Sequence, residues 1–261
     1  MISLSTFAGF MAAIAVLGSA IVMSTDNYLL FVSYSSVVIV LGGTFTATLV
    51  SYSFPLLAGA IKTLFVNLLN EDNYKKESHR IIKRAAELNS VYRNGGIAAL
   101  EGALTAKEQK DQFITLCIEL IGTGYKGEEL NNMLTESNSS QSHEEERSSK
   151  VLETMGAFAP GFGMIGTLIG LIIMLDNLSG DFAELGKGLA IALLTTLYGV
   201  CFAQLLFKPA ATRAFRRIDD NFQLRELQAR SFVLILERKP DLYLKDNLNG
   251  FLSSKHRLKE Q

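Results

Sequence analysis

The stretch TMGAFAPGFGMIGTLIGLIIML, from Thr154 to Leu175, runs for 22 residues without a charge. About 20 mostly apolar residues suffice for a helix to cross a hydrocarbon core, so this is read as a membrane span. Its letters from Gly161 to Gly166 match the glycine fingerprint of dinucleotide-binding folds. That fingerprint needs a preceding strand and a polar crevice for phosphate, and an uncharged span has neither. The glycines have a better use. Gly156, Gly163 and Gly170 recur every seven residues, and Gly166 to Gly170 is a G-x-x-x-G. Small residues let helices approach closely in lipid, where packing replaces the hydrophobic drive.

Three more uncharged runs lie outward from this one: residues 1–25, 27–61 and 188–207. The run from Asn27 to Ile61 is too long for one upright span, so Pro55 is expected to end its helix and leave Leu56 to Ile61 near the interface. The last run again carries small residues at helical spacing: Gly188, Ala192, Thr195, Gly199 and Ala203. The expected fold is an all-α membrane protein with four transmembrane helices and a helical cytoplasmic insert between the second and third. In residues these are spans 1–25, 28–54, 154–175 and 188–207, an insert 55–153 and a tail 208–261. The positive mean hydropathy of +0.22 comes from the spans. The first run has no basic n-region, the first lysine being Lys62, which points to a retained span and not a cleaved signal.

The charges give the orientation. The insert from Lys62 to Glu153 holds 12 Lys and Arg and the tail from Lys208 another 12, of 25 in all. Asp26 is the only charge between the first two runs, and Asp176, Asp181, Glu184 and Lys187 lie between the last two. The positive-inside rule places insert, tail and N-terminus in the cytoplasm. Lys208, Arg213, Arg216 and Arg217 follow the fourth span closely. A formal net charge of −1 argues against a nucleic-acid partner, which would call for a basic excess.

Within the insert, Ile81, Ile82, Ala85, Ala86 and Leu88 trace one amphipathic helix. Phe113, Ile114, Cys117, Ile118 and Ile121 trace another, ended by Gly122 and Gly124. Gly95-Gly96 marks a turn between them. Ser137 to Ser142 reads as loop or frayed helix, and Glu144 to Met155 as a helix that runs on into the third span. Pro160 is expected to break the helix near the cytoplasmic end of that span.

The chain offers little for catalysis. His79, His143 and His256 lack metal-ligand spacing, Cys117 and Cys201 have no such neighbour, and Gly186-Lys187 lacks the rest of a phosphate loop. No enzyme, metal or cofactor is expected. Thr167, Thr195 and Thr196 sit among the small residues. Each hydroxyl either bonds back to its own helix or faces a pathway and offers oxygen to a cation. One absence bears on the choice: no span contains an acidic residue, whereas an ion carrier generally needs an ionisable group at membrane depth. If ions pass, a partner chain must bring the carboxylate.

Ala159 to Leu171 (APGFGMIGTLIGL) and Ala192 to Gly199 (ALLTTLYG) resemble the signature of flagellar motor stator A subunits, the MotA/PomA family. The similarity extends over nearly the whole chain. ExbB and TolQ share the last two helices but usually have three spans. The resemblance implies a homopentamer in the bacterial inner membrane around a dimer of a MotB/PomB-type B subunit, which carries the aspartate. Ion flow would turn the ring, and the insert would turn the rotor through the switch protein FliG. It implies gating by Pro160, an ion pathway beside Thr167, Thr195 and Thr196, and rotor contact by Arg93 and Glu101. The three threonines favour sodium over protons as the transported ion. Asn94, Ala157 and Lys187 depart from patterns in some members. Two other outputs remain open at this stage: an energiser of outer-membrane transport or defence, and a passive membrane scaffold.

Overall fold

The computed structural model describes residues 4–69, 73–176, 178 and 182–258. Asp181 of the expected outer loop and residues 1–3 of the expected first span lie outside these. Every regular element among the described residues is helical: α1 Leu4–Ser24, α2 Tyr34–Val37, α3 Gly43–Ser51, α4 Phe54–Leu69, α5 Tyr74–Gly102, α6 Gln112–Gly122, α7 Gly127–Asp176, α8 Phe182–Cys201, α9 Lys208–Leu236 and α10 Asp241–Phe251. Two π-helical turns, Val38–Gly42 and Phe202–Phe207, join α2 to α3 and α8 to α9. Three stretches are long and apolar enough to cross a membrane: Tyr28–Ser51, Gly127–Asp176 and Glu184–Leu236. A further apolar helical stretch, Ala8–Ser24, is shorter.

Several expectations need correcting. Pro55 opens a helix. The second span stops at Ser51, Tyr52 is extended, and Pro55 sits in the first turn of α4, where its missing N–H has no partner to lose. Residues 56–61 are therefore helical, as is the chain on to Leu69. Ser137 to Ser142 is neither loop nor frayed but lies inside α7. Leu130, Leu134 and Asn138 recur every four residues and are all buried, and Asn138 donates Nδ2 to Phe222 O at 3.0 Å. A polar residue in an apolar-face position hides the periodicity from a sequence reading. Nor does Pro160 break α7, which continues through it. The proline leaves Gly156 O without its usual donor, and the turns on either side keep theirs.

The chain forms two compact units, Met1–Glu71 with Glu145–Arg216 and Asp72–Glu144 with Arg217–Gln261. The first holds the apolar helices. Its core joins Leu57 and Leu64 of α4, Leu152, Met155 and Ala159 of α7, Phe207, and Ala211 of α9. Large apolar side chains such as Val16, Leu168, Ile172 and Leu193 stand exposed on it, as lipid-facing positions do. The second unit has a conventional core, including Ile82, Leu88, Leu100, Cys117, Leu130, Leu227, Leu244 and Leu248. Burial, with Asp111 adding to it, pushes the Cys117 thiol up, so it stays neutral packing material. Asn89, also buried, donates to Lys239 O at 2.9 Å and Asp241 Oδ1 at 2.6 Å, fastening α5 to the start of α10.

In this second unit the Gly95-Gly96 turn is real. Gly96 has φ 68° and ψ −158°, a conformation open to glycine, and it divides α5 into residues 74–95 and 97–102. Helix α6 begins with Asp111 Oδ1 accepting from Phe113 N at 3.0 Å and Ile114 N at 3.4 Å. It is followed by Gly124 at φ 101°, in keeping with the expected stop.

Candidate functional site

Two places hold the residues singled out from the sequence, one in each unit. In the first, α7 and α8 meet along their small residues until backbone touches backbone. A Cβ added at Gly170 would lie 2.5 Å from Ala192 N and 2.6 Å from Gly188 O. One at Gly188 would lie 2.8 Å from Gly170 O and Met174 N, and one at Gly199 would lie 2.7 Å from Ala159 O. The glycine spacing reflects this seam, because no side chain fits there.

The seam treats the three threonines differently. Thr195 is fully buried against Gly166, and its hydroxyl is 2.9 Å from Ile191 O and 3.0 Å from Ala192 O, carbonyls of its own helix. Its oxygen serves the helix. Thr167 Oγ1 lies 3.1 Å from both Gly163 O and Ala192 O, and 2.5 Å from Thr196 Oγ1. A hydroxyl has one proton. When Thr167 donates to a carbonyl, Thr196 donates to Thr167. The lone pairs of Thr196 then remain available at the exposed edge of the seam. Pro160 is half-buried, next to the Ala159 carbonyl that meets Gly199.

Two further attachments escaped the sequence reading. Tyr198 donates its hydroxyl to Phe31 O and accepts from Ser33 N at 3.1 Å, bolting α8 to the entry of the second span. The Phe162 ring fills the space over Gly43, where an added Cβ would lie 2.1 Å away. Tyr198 lies inside the quoted ALLTTLYG motif, but its partners are 167 and 165 positions away, and no periodicity links such distances. Among the described residues no cluster of His, Cys, Asp and Glu could hold a metal ion.

The second place is the Gly96 turn. Arg93 stands before it and Glu101 after it, both exposed. Among the described residues neither takes part in an ion pair. Arg84, earlier on α5, is fully engaged. Its Nε and Nη2 donate to Glu108 Oε1 and Oε2 at 2.9 Å each, Nη1 to Glu87 Oε2 at 2.9 Å, and Nη2 also to Ala103 O at 2.6 Å. Burial alone would raise the Glu108 carboxyl. Hydrogen bonds from Arg84 and Thr105 outweigh it, and the group sits below its ordinary value.

Comparison with known proteins gives a consistent picture. The model of the MotA/TolQ/ExbB proton channel family matches residues 105–227. Motility protein A of Treponema phagedenis is 32% identical over 215 residues, covering 80% of this chain and 78% of that relative. Chemotaxis protein PomA of Vibrio alginolyticus is 29% identical over 250 residues, covering 94% and 95%. A structure of the flagellar MotAB stator complex from Bacillus subtilis shares the fold, with a TM-score of 0.81 over 95% of this chain and 96% of that one, at 22% identity.

Proposed function

The chain belongs to the MotA/TolQ/ExbB proton channel family and is a stator A subunit of the motility-protein-A type, and from that premise we propose that the α7–α8 seam is one wall of an ion path that a B subunit completes. The observation that carries this is Thr196, an exposed hydroxyl 2.5 Å from Thr167 Oγ1, which keeps its lone pairs when Thr167 donates to either of its two carbonyl neighbours. An acceptor oxygen at membrane depth suits a cation. The chain supplies no carboxylate there, so the titratable or coordinating acid belongs to the partner. The seam behind the hydroxyl is backbone against backbone, which fixes its position.

In this reading α1 is a fourth span, N-terminus and tail are cytoplasmic, and five copies surround a B-subunit dimer in the inner membrane. Arg93 and Glu101 meet the rotor switch protein FliG, and Pro160 is the place where α7 bends during gating. The transported ion is sodium, held in part by the paired oxygens of Thr167 and Thr196. Thr195 contributes shape to the seam and no oxygen to the ion.

Swimming speed measured against sodium concentration at fixed proton-motive force tests the assignment. Speed should rise and saturate with sodium, and Thr196→Ala should move the half-saturating concentration up by about tenfold, the loss of one good ligand, with the complex still assembled. A speed independent of sodium overturns the sodium assignment in favour of protons. An unaltered sodium response in Thr196→Ala removes that residue from the path.

A further inference from the structure

The site described so far leaves Arg84 without a role, although it makes more charged hydrogen bonds than any other side chain described above. Helix geometry shows what it does. Arg84 and Ala103 are 19 positions apart, and a straight helix would separate them by about 28 Å at 1.5 Å per residue. Instead Arg84 Nη2 donates to Ala103 O at 2.6 Å. The chain therefore doubles back at Gly96, and Arg84 grips the far end of the returning segment. Glu108 is held in turn, accepting from Thr105 N at 2.8 Å and Thr105 Oγ1 at 2.9 Å as well as from both arms of the guanidinium. The result is a closed loop. Residues 74–95 carry Arg93, the glycine turn follows, residues 97–102 carry Glu101, and Arg84 fastens the end at Ala103 and Glu108 back to the start.

We propose that the Arg84–Glu108 clasp is the device that sets the angle of the Gly96 turn and, through it, the spacing and orientation of Arg93 and Glu101. Arg84 is thus a positioning residue for the rotor contact, and this role rests on the assignment of Arg93 and Glu101 given above. The physical need is plain. A glycine at φ 68° supplies freedom and no restoring force, so two exposed charges on either side of it keep a fixed separation only if something else holds the turn. Leu100, wholly buried, anchors the returning segment to the core through packing. The clasp adds direction, because a guanidinium fork bonds a carboxylate in one plane. Ile97, Ala103 and Leu104 of the returning segment also pack against the core, and a cavity of about 360 Å³, lined by Ala85, Leu88, Phe232 and Ile235, lies beside the clasp.

The test uses full-length chain assembled with its B subunit, spin-labelled through cysteines placed at 93 and 101 in a Cys201→Ala background; Cys117 is wholly buried. Arg84→Ala should broaden and shift the 93–101 distance distribution. Arg84→Lys, which keeps the charge and loses the fork, should broaden it less. In unlabelled motors Arg84→Ala should lower stall torque about threefold, the scale of a misaligned rim charge. Ion uptake by vesicles carrying the complex should stay unchanged, which a folding defect would not allow. An unaltered 93–101 distance in Arg84→Ala overturns the proposal, as does a torque loss matched by equal loss of ion uptake. Arg93→Glu serves as the separate control. Normal torque in that variant would overturn the rotor-contact assignment, while the distance measurement would still judge the clasp.

Discussion

The seam between α7 and α8 and the turn at Gly96 both depend on glycine, for opposite reasons. At Gly170 and Gly188 the absence of a side chain brings two backbones together, and the geometry is set by hard contact. At Gly96 nothing lies within 4 Å of an added Cβ; the glycine is there for its φ of 68°, and hydrogen bonds from Arg84 join the packing of Leu100 in holding the segment that follows. The unit with the apolar helices positions its hydroxyls by shape, and the second unit positions its charges by hydrogen bonds. Shape suits a medium where hydrophobic drive between helices is absent. Directed charge suits an exposed turn, where a guanidinium fork fixes a geometry that packing alone leaves open.

The sharpest way to break the comparison is to add a side chain on each side of it. Gly170→Val should destabilise the helix pair by about 3 kcal/mol or more, since the atoms it strikes are backbone and cannot rotate away. Gly102→Ala, at the open end of α5 with nothing within 4 Å, should be neutral or stabilising by up to about 1 kcal/mol. Thermal unfolding of the purified chain in detergent reads both. Similar midpoints for the two variants would contradict the seam.

A smaller effect separates shape from hydrogen bonding inside the membrane unit. Tyr198→Phe keeps the ring and removes the hydroxyl shared by Phe31 O and Ser33 N, which should cost about 1–3 kcal/mol in unfolding midpoint measurements. The loss should appear in the second span, as faster hydrogen exchange around Ser33. Unchanged exchange there would mean that the ring alone secures the contact.

The smallest expected effect belongs to the clasp. Glu108 has a carboxyl held below its ordinary value in the folded chain. Its contribution is therefore complete above the unfolded value of about 4.3, and is lost as pH falls through the depressed folded value. Wild type should exceed Glu108→Gln in stability by about 1 kcal/mol at neutral pH. That gap should close below roughly pH 4. A gap independent of pH would show that the carboxylate charge plays no part.

Much of this was legible in the chain because membrane spans announce themselves. Uncharged runs of span length, the glycine register and the bias of lysine and arginine are all local patterns. The amphipathic stripes at 81–88 and 113–121 and the Gly95-Gly96 turn were readable for the same reason. Elsewhere a local signal is compatible with two structures. Pro55 can end a helix or begin one, and the distinction rests on where Tyr52 turns extended. Asn138 conceals an apolar face, so the surrounding serines looked like loop. Thr195 and Thr196 are adjacent and chemically identical, yet one is buried against Gly166 and the other stands at the exposed edge.

The sequence by itself determined the helical class, the apolar stretches, the side of the membrane expected for the charged segments, and the absence of an acidic residue from the apolar runs. These are consequences of composition and spacing, which depend only on residues near one another along the chain. Tertiary structure alone decided which of the adjacent threonine hydroxyls is exposed, that Tyr198 bonds to the entry of the second span, and that Arg84 reaches across the Gly96 turn. Each of these depends on a hydrogen bond or contact between distant positions. A donor's partner is chosen by which groups packing brings within about 3 Å, and no spacing rule carries that information.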